Sequence, residues 1–145
     1  MYESVERVRK HMLREEQQRE ILKEITTLVS GQPEIVFAFL HGSFLDGSFF
    51  RDIDLGIFVR GMDSADFWDY EARLCQQIEE ALNYLCVVEL KVINKAPLSF
   101  CYHVIRGQIL FVRDEGSLTE FMVRVARGYL DMAPVRHRYM IEAMT

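Results

Sequence analysis

The sequence has few cysteines, few prolines and no long apolar run, and each shortage argues against a class of protein. Its three cysteines form no C-x-x-C motif and no array with histidine, which argues against a disulfide scaffold or a zinc site. Three prolines and eight glycines in 145 residues are too few for a low-complexity chain. No apolar run approaches the roughly 20 residues that cross a bilayer. We therefore expect a cytoplasmic protein without a membrane partner.

The amino-acid composition is typical of one globular domain. Half of the residues (50%) are apolar and 27% are charged, so the chain can bury a core without disulfides or metals. Acidic residues outnumber basic ones by 22 to 17, which gives a net charge of −5. Because binding to a phosphate backbone depends on Lys and Arg, we expect no direct nucleic-acid partner. We predict a single domain that covers residues 1–145.

Apolar residues at helical spacing predict a long first helix that ends before Gly31. Its stretch 14–20 is entirely polar, which suggests a break there, so that residues 1–19 would form an N-terminal helical arm. Further helices are predicted at 63–85 and 97–106.

The end of the chain carries a helix start signal followed by a breaker. Ser117 and Glu120 have the spacing of a capping box, in which each side chain satisfies a free backbone donor of the first turn. This predicts a C-terminal helical segment, residues 117–145, which Pro134 should kink or split.

Four short runs with apolar or alternating patterns predict β-strands. The first (EIVFAFL) is almost entirely apolar and should be buried on both faces of the sheet. In the second (DIDLGIFV) and the third (CVVELKVI), apolar residues alternate along the strand, so that neighbouring side chains lie on opposite faces. The predicted strands are 34–40, 52–59, 86–93 and 108–113.

Gly42 and Ser43 follow the first strand and offer a seat for a phosphate group. A glycine and a hydroxyl at a strand end, next to a helical turn, can present free backbone N–H groups to an anion. The alternative is an ordinary turn. His41, directly before them, is interpreted as a buried, hydrogen-bonded residue rather than a catalytic one.

Asp52 and Asp54 are an unusual pair, because two aspartates on one face of a strand lie only about 7 Å apart along the backbone. Like charges repel at that distance. A divalent cation would remove the repulsion, and Mg²⁺ takes one or two protein carboxylates together with phosphate oxygens and water. The alternative is that both acids lie at a solvated strand edge.

Glu89 supplies a third acid in the third predicted strand, on the face opposite Val88 and Leu90. If this strand is the neighbour of the second and in register with it, three carboxylates converge on one face of the sheet. That arrangement suits two-metal phosphoryl transfer. The alternative is a solvated Glu89, or one paired with Lys91.

Together these residues resemble a known superfamily. Gly42-Ser43, a loop, Asp52-Ile-Asp-Leu55 and a later strand acid are similar to polymerase-beta-like nucleotidyltransferases, and the small size resembles their minimal nucleotidyltransferase (MNT) branch. The runs 92–97 and 105–111 also look like MNT proteins. The resemblance implies an α+β (α/β) fold, in which a mixed β-sheet carries helices packed mainly on one face. It also implies an antitoxin whose partner is a HEPN-domain ribonuclease toxin, to which some family members transfer AMP.

The resemblance also implies roles for individual residues. Gly42 and Ser43 would hold the triphosphate of ATP, the nucleotide donor, and Arg51 would contact or block the phosphate site. Asp52, Asp54 and Glu89 would be the catalytic and metal-binding carboxylates for Mg²⁺. Attack of an acceptor hydroxyl on the α-phosphate would release pyrophosphate.

Three departures from the family pattern leave more than one function open. The loop from Phe44 to Arg51 is shorter than usual, Arg51 replaces a small polar residue, and Glu89 replaces the usual Asp. The first function is AMP transfer to a HEPN toxin, the second is neutralisation of the toxin by binding alone, and the third is transfer to a small molecule. The N-terminal arm and the methionine-rich C-terminal helix also suggest a homo-oligomer.

Overall fold

The computed structural model of the protein describes residues 2–42 and 52–144. Nine regular elements follow one another along these residues: α1 (Tyr2–Ser30), β1 (Ile35–His41), β2 (Asp52–Val59), α2 (Phe67–Ala81), β3 (Val87–Val92), α3 (Leu98–Ile105), β4 (Gln108–Val112), α4 (Glu115–Asp131) and α5 (Ala133–Met144). A single 3-10 turn at Ser64–Asp66 leads into α2. None of the described helices is both long enough and apolar enough to cross a membrane.

The four strands form one mixed sheet in the order β3-β2-β1-β4. β1 is antiparallel to both β2 and β4, whereas β2 and β3 are parallel. All four predicted strands are confirmed, with ends that differ from the prediction by at most one residue. The prediction that the first strand is buried on both faces is also confirmed, because every residue of β1 is buried.

Helices cover both faces of this sheet. On one face, α1 and α2 pack over the whole width, where alternate residues of β2 and β3 are buried against Ile25 and Ile78. On the other face, α3 and α4 pack over the central strand β1, with Phe37, Phe39 and Phe121 at their centre. The predicted mixed sheet with helices is confirmed, and the predicted concentration of helices on one face describes only part of the arrangement. The second face is left open along β3, where Val87, Glu89 and Lys91 are exposed.

α1 is one uninterrupted helix rather than two segments. Its last three turns are buried through Ile21, Ile25 and Val29, while Val5, Val8 and Met12 near its start are exposed. The expected break at 14–20 is absent because this stretch consists of Arg, Glu and Gln, which are good helix formers. Loss of an apolar face ends the packing of a helix but does not end the helix itself.

α4 begins earlier than the capping box predicts. Its N-cap is Asp114, whose side chain accepts hydrogen bonds from the N–H groups of Gly116 at 3.1 Å and Ser117 at 3.4 Å. Ser117 instead donates its hydroxyl to Asp114 at 2.9 Å. The predicted effect of Pro134 is confirmed, since α4 ends at Asp131 and α5 begins at Ala133.

Candidate active site

The pairing of β2 with β3 brings two of the predicted acids together. Asp54 lies opposite Glu89 in the register of the two parallel strands, and Asp52 lies opposite Val87. All three acids lie on the face opposite the buried residues Ile53 and Leu55. The prediction that the two strands are neighbours in register is therefore confirmed. Asp54 and Glu89 are 35 residues apart in the sequence.

The environment of Asp54 disfavours its charged form. Burial, as the largest cause, and the nearby charge of Asp52 both raise the pKa of the Asp54 carboxyl. A side-chain hydrogen-bond contact with Glu89 and the charge of His103 act in the opposite direction. Two carboxyl groups in such contact are stabilised by a shared proton or by a cation between them, and the second condition is that of a metal site.

His41, the last residue of β1, lies opposite Asp54 on the other side of β2. It is 7% exposed, and its ring meets the rings of Phe100 and His103 edge-on at centroid distances of 5.7 and 5.5 Å. Burial lowers the pKa of His41, His103 lowers it further, and Glu89 opposes both. The burial agrees with the structural role that we predict for His41, and the lowered pKa favours its neutral form.

His103 is a residue near the site that the sequence did not single out. The structure places His103 beside His41 and within electrostatic reach of Asp54. A usable signal was present, because Phe100 and His103 are three residues apart in α3 and therefore share one face of that helix. Both rings contact His41.

Gly42 is required by a close approach rather than by a turn alone. Its φ of +85° lies in the left-handed region, and a Cβ built on it would overlap the Asp54 carboxylate oxygen Oδ2. Only glycine lets the backbone after β1 pass so close to Asp54. Of the other residues predicted for the phosphate site, Ser43 and Arg51 lie outside the described residues.

The three acids do not form a ready-made metal cluster. Within residues 2–42 and 52–144, no group of three or more His, Cys, Asp or Glu side chains is assembled so that it could hold a metal ion. Asp54 and Glu89 contact each other, whereas Asp52 is exposed at the start of β2. The donor set nevertheless fits Mg²⁺, because this ion commonly takes only one or two protein carboxylates and completes its shell with phosphate oxygens and water.

An open groove of about 370 Å³ adjoins Glu89. It runs between α2 and β3, and its lining includes Glu89, Lys91 and the exposed Trp68. A larger cavity of about 680 Å³ lies between α1 and the end of α2 and includes none of the three acids. The predicted acids therefore lie on the open sheet face and not in the larger cavity.

Comparison with known proteins gives the family to which the chain belongs. Residues 23–116 match the family model described as polymerase beta, nucleotidyltransferase, which covers more than half of the chain. The chain belongs to this nucleotidyltransferase family. None of the curated protein sequences matches it significantly.

Several solved structures share its fold. A chain of the complex between a tri-AMPylated Shewanella oneidensis HEPN toxin and an MNT antitoxin is 21% identical, with a TM-score of 0.67 over 88% of this chain and 99% of that one. The toxin-antitoxin MntA-HepT gives 19% identity and a TM-score of 0.66 over 88% and 99% of the two chains. A toxin-antitoxin structure with AMP-PNP gives 22% identity and 0.67 over 86% and 98%. The predicted likeness to the minimal nucleotidyltransferase branch is thus confirmed at the level of the fold.

Proposed function

We propose that the protein is an MNT-type antitoxin that binds a HEPN ribonuclease toxin and transfers AMP to it from ATP and Mg²⁺. The observation that carries this proposal is the contact between Asp54 and Glu89, directly beside Gly42, in a nucleotidyltransferase fold. Support comes from structures with the same fold, one of which contains an AMPylated HEPN toxin and another AMP-PNP.

Asp52 and Asp54, with Glu89, are the residues that would hold Mg²⁺. When bound, the ion would neutralise phosphate charge and lower the pKa of the acceptor hydroxyl. The chain itself makes two contributions. Asp54 is partly buried, and a bound cation would offset its charge and reduce its repulsion of the phosphate groups. The backbone at Gly42 has no side chain and can therefore approach a phosphate closely.

The reaction that these residues support is substitution at the α-phosphorus of ATP. The acceptor hydroxyl oxygen forms a bond to phosphorus, the bond to the departing pyrophosphate breaks, and the hydroxyl proton passes to the Glu89 carboxylate. Glu89 is exposed on an open face of β3, so a hydroxyl presented by another protein can reach it. A macromolecular acceptor fits this open face better than a small molecule, which usually binds in an enclosed pocket.

Replacement of Asp54 tests the proposal. The protein is co-expressed with its neighbouring reading frames, as wild type, as Asp54→Asn and as Asp131→Asn, and the intact mass of the copurified partner is measured. We expect a partner heavier by whole AMP units with wild type and with Asp131→Asn, and an unmodified partner with Asp54→Asn. Asp131 is a matched control because it is exposed at the end of α4, far from the site in sequence. Full modification by Asp54→Asn would contradict the assignment.

Neutralisation by binding alone is the second candidate, and the presence of Glu89 on an exposed position of β3, where the family usually has Asp, favours it. Nucleotide binding separates the two. For an AMP transferase, Mg-ATP raises the melting temperature of the wild type, and Asp52→Asn removes most of that rise, because ligand that binds only the folded state stabilises it. A melting temperature that does not respond to Mg-ATP, together with a bound and unmodified partner, would favour the binding module.

A further inference from the structure

β3 is an edge strand, and one of its two edges faces α2 instead of another strand. On its inner side it pairs with β2 through the register that places Glu89 opposite Asp54. In a parallel pair, alternate residues direct their backbone groups toward the neighbouring strand and the others direct theirs outward. The outward backbone groups of β3 belong to Val88, Leu90 and Val92, and an unpaired edge of this kind is an exposed set of polar groups.

Three side chains of α2 bind these outward groups. Glu79 accepts the N–H of Val88 and Glu71 accepts the N–H of Val92, each at 3.1 Å. Between them, the Cys75 thiol donates to the carbonyl oxygen of Val88 at 3.0 Å. The Leu90 backbone also hydrogen bonds to Cys75. We call Glu71, Cys75 and Glu79 the edge ladder.

The spacing of the edge ladder matches the spacing of the strand. Its members are four residues apart, so they share one face of α2 and advance by about 6 Å at each step. The outward residues of β3 are two apart and advance by about 6.6 Å. All three side chains are half-buried, whereas the adjacent residues Gln76 and Glu80 are exposed. Side chains of α2 therefore bind the outward backbone groups of β3 that a fifth strand would otherwise bind.

Glu89 lies in the middle of this arrangement. Cys75 binds the backbone of Val88 and of Leu90, the residues before and after Glu89. The pairing of β3 with β2 sets the position of Glu89 opposite Asp54. A shift of β3 along or away from β2 would carry the Glu89 carboxylate away from Asp54. Such a shift matters for transfer, because a misplacement of about 1 Å can reduce a rate on the order of 10²-fold.

We propose that the edge ladder consists of positioning residues for Glu89: by binding the outward backbone of β3, it holds the Glu89 carboxylate in contact with Asp54. This role rests on the proposed nucleotidyl transfer. It goes beyond protection of a strand edge, because protection alone requires only that the edge be covered.

The test compares Glu79→Ala with Glu80→Ala. Glu80 is the same residue type on the same helix, is exposed, and contacts Gln76 rather than β3. Glu79→Gln is the conservative variant, since its amide oxygen can still accept the Val88 N–H. We measure amide hydrogen exchange in β3, kcat and KM for ATP in AMP transfer to the copurified partner, and the affinity of the protein for Mn²⁺ as a probe of the carboxylates.

For Glu79→Ala we expect faster exchange at Val88, a kcat at least 10-fold below wild type, a KM for ATP within about 2-fold, and weaker Mn²⁺ binding. Glu80→Ala should match wild type in all four, and Glu79→Gln should recover most of the loss. Faster exchange with unchanged kcat and unchanged Mn²⁺ binding would overturn the proposal, because the ladder would then only cover the edge. If Glu79→Ala does not fold, the pair Cys75→Ala and Cys75→Ser gives the same comparison.

The Mn²⁺ measurement keeps this proposal separable from the proposed function. If the wild type transfers no AMP, the proposed function fails, and the affinities for Mn²⁺ decide the role of the ladder. Weaker binding by Glu79→Ala than by Glu80→Ala supports positioning, whereas equal binding overturns it. A wild type that neither transfers AMP nor binds Mn²⁺ overturns both proposals.

Discussion

At the scale of the residue, the site depends on how closely the backbone at Gly42 can approach the Asp54 carboxylate. The left-handed conformation of Gly42 and the lack of space for a Cβ act together. His41, which is buried, lies opposite Asp54 in the register of β1 and β2. Burial is the main cause that raises the pKa of the Asp54 carboxyl.

Gly42→Ala and Gly61→Ala separate the effect of the left-handed backbone conformation from the effect of the missing space for a Cβ. Both glycines have a left-handed φ, of +85° and +76°, but a Cβ at Gly61 would meet nothing within 4 Å. We expect each alanine to lower the free energy of unfolding by about 1–2 kcal/mol through backbone strain. Only Gly42→Ala should also lose the rise in melting temperature with Mg-ATP, because its methyl group displaces Asp54.

Chemical denaturation and thermal shift measure the two effects. A Gly42→Ala protein that keeps the full response to Mg-ATP would show that the close approach to Asp54 is not needed for nucleotide binding. A much larger loss of stability in Gly61→Ala than in Gly42→Ala would contradict the steric argument itself.

At the scale of the element, side chains at helix ends and helix faces satisfy backbone groups that regular structure leaves free. The edge ladder of α2 does so for β3, and Asp114 does so for the first turn of α4. Arg60 donates to both Asp114 at 3.2 Å and Ser117 at 2.9 Å, which ties the end of β2 to the start of α4. Asn94 binds the N–H and the carbonyl oxygen of Val59 at 2.9 and 2.7 Å and so continues the sheet beyond β3.

The cap at Asp114 predicts a dependence of stability on pH. The hydroxyl of Ser117, followed by Arg60, lowers the pKa of Asp114 below its usual value. The folded state therefore binds this proton less readily than the unfolded state, so the charged cap contributes stability above about pH 4, and the contribution is lost as pH falls through the lowered pKa.

We expect the melting temperature of wild type to exceed that of Asp114→Asn at pH 7, and the difference to shrink as the pH falls below about 4. Glu115→Gln is the control, because Glu115 is adjacent, acidic and in the first turn but does not provide the cap. A difference that stays constant from pH 7 to pH 3 would contradict the assignment of the cap to the ionised carboxylate.

At the scale of the whole molecule, the helices divide the sheet into a covered part and an open part. α3 and α4 cover the face of β1, and the same face is exposed along β3, where Glu89 and Lys91 lie. The start of α1 is also exposed through Tyr2, Val5, Val8 and Met12. Open surfaces of these two kinds fit a protein that acts on, or assembles with, another chain.

A homo-oligomer stays a prediction of the sequence. We expect light scattering to give a mass above the 17.0 kDa of one chain, and Val8→Lys with Met12→Lys to lower it, because charges would replace the exposed apolar side chains of α1. The control is Val123→Lys, at a position on α4 that is 42% exposed. A mass of one chain for the wild type at all concentrations would exclude self-association.

The sequence by itself determined the strands, the alternation along them and the shared face of Asp52 and Asp54. These features are local, because they depend on side-chain periodicity within about eight residues, and the same holds for the split of the last helix near Pro134. The break in α1 was predicted wrongly from such local information, since an absent apolar face resembles a helix end in sequence. Asp114 was missed as a cap because the Ser117 and Glu120 pattern fits the same turn.

Only the tertiary structure decided which of these residues meet. The contact of Asp54 with Glu89, the approach of Gly42 to Asp54, the place of His103 beside His41 and the binding of β3 by α2 all join separate elements. Their distances depend on strand order, register and helix packing, which no local propensity encodes. The acids of the proposed site could therefore be named from the sequence, whereas the binding of the β3 edge by Glu71 and Glu79 depends on how α2 packs against that strand.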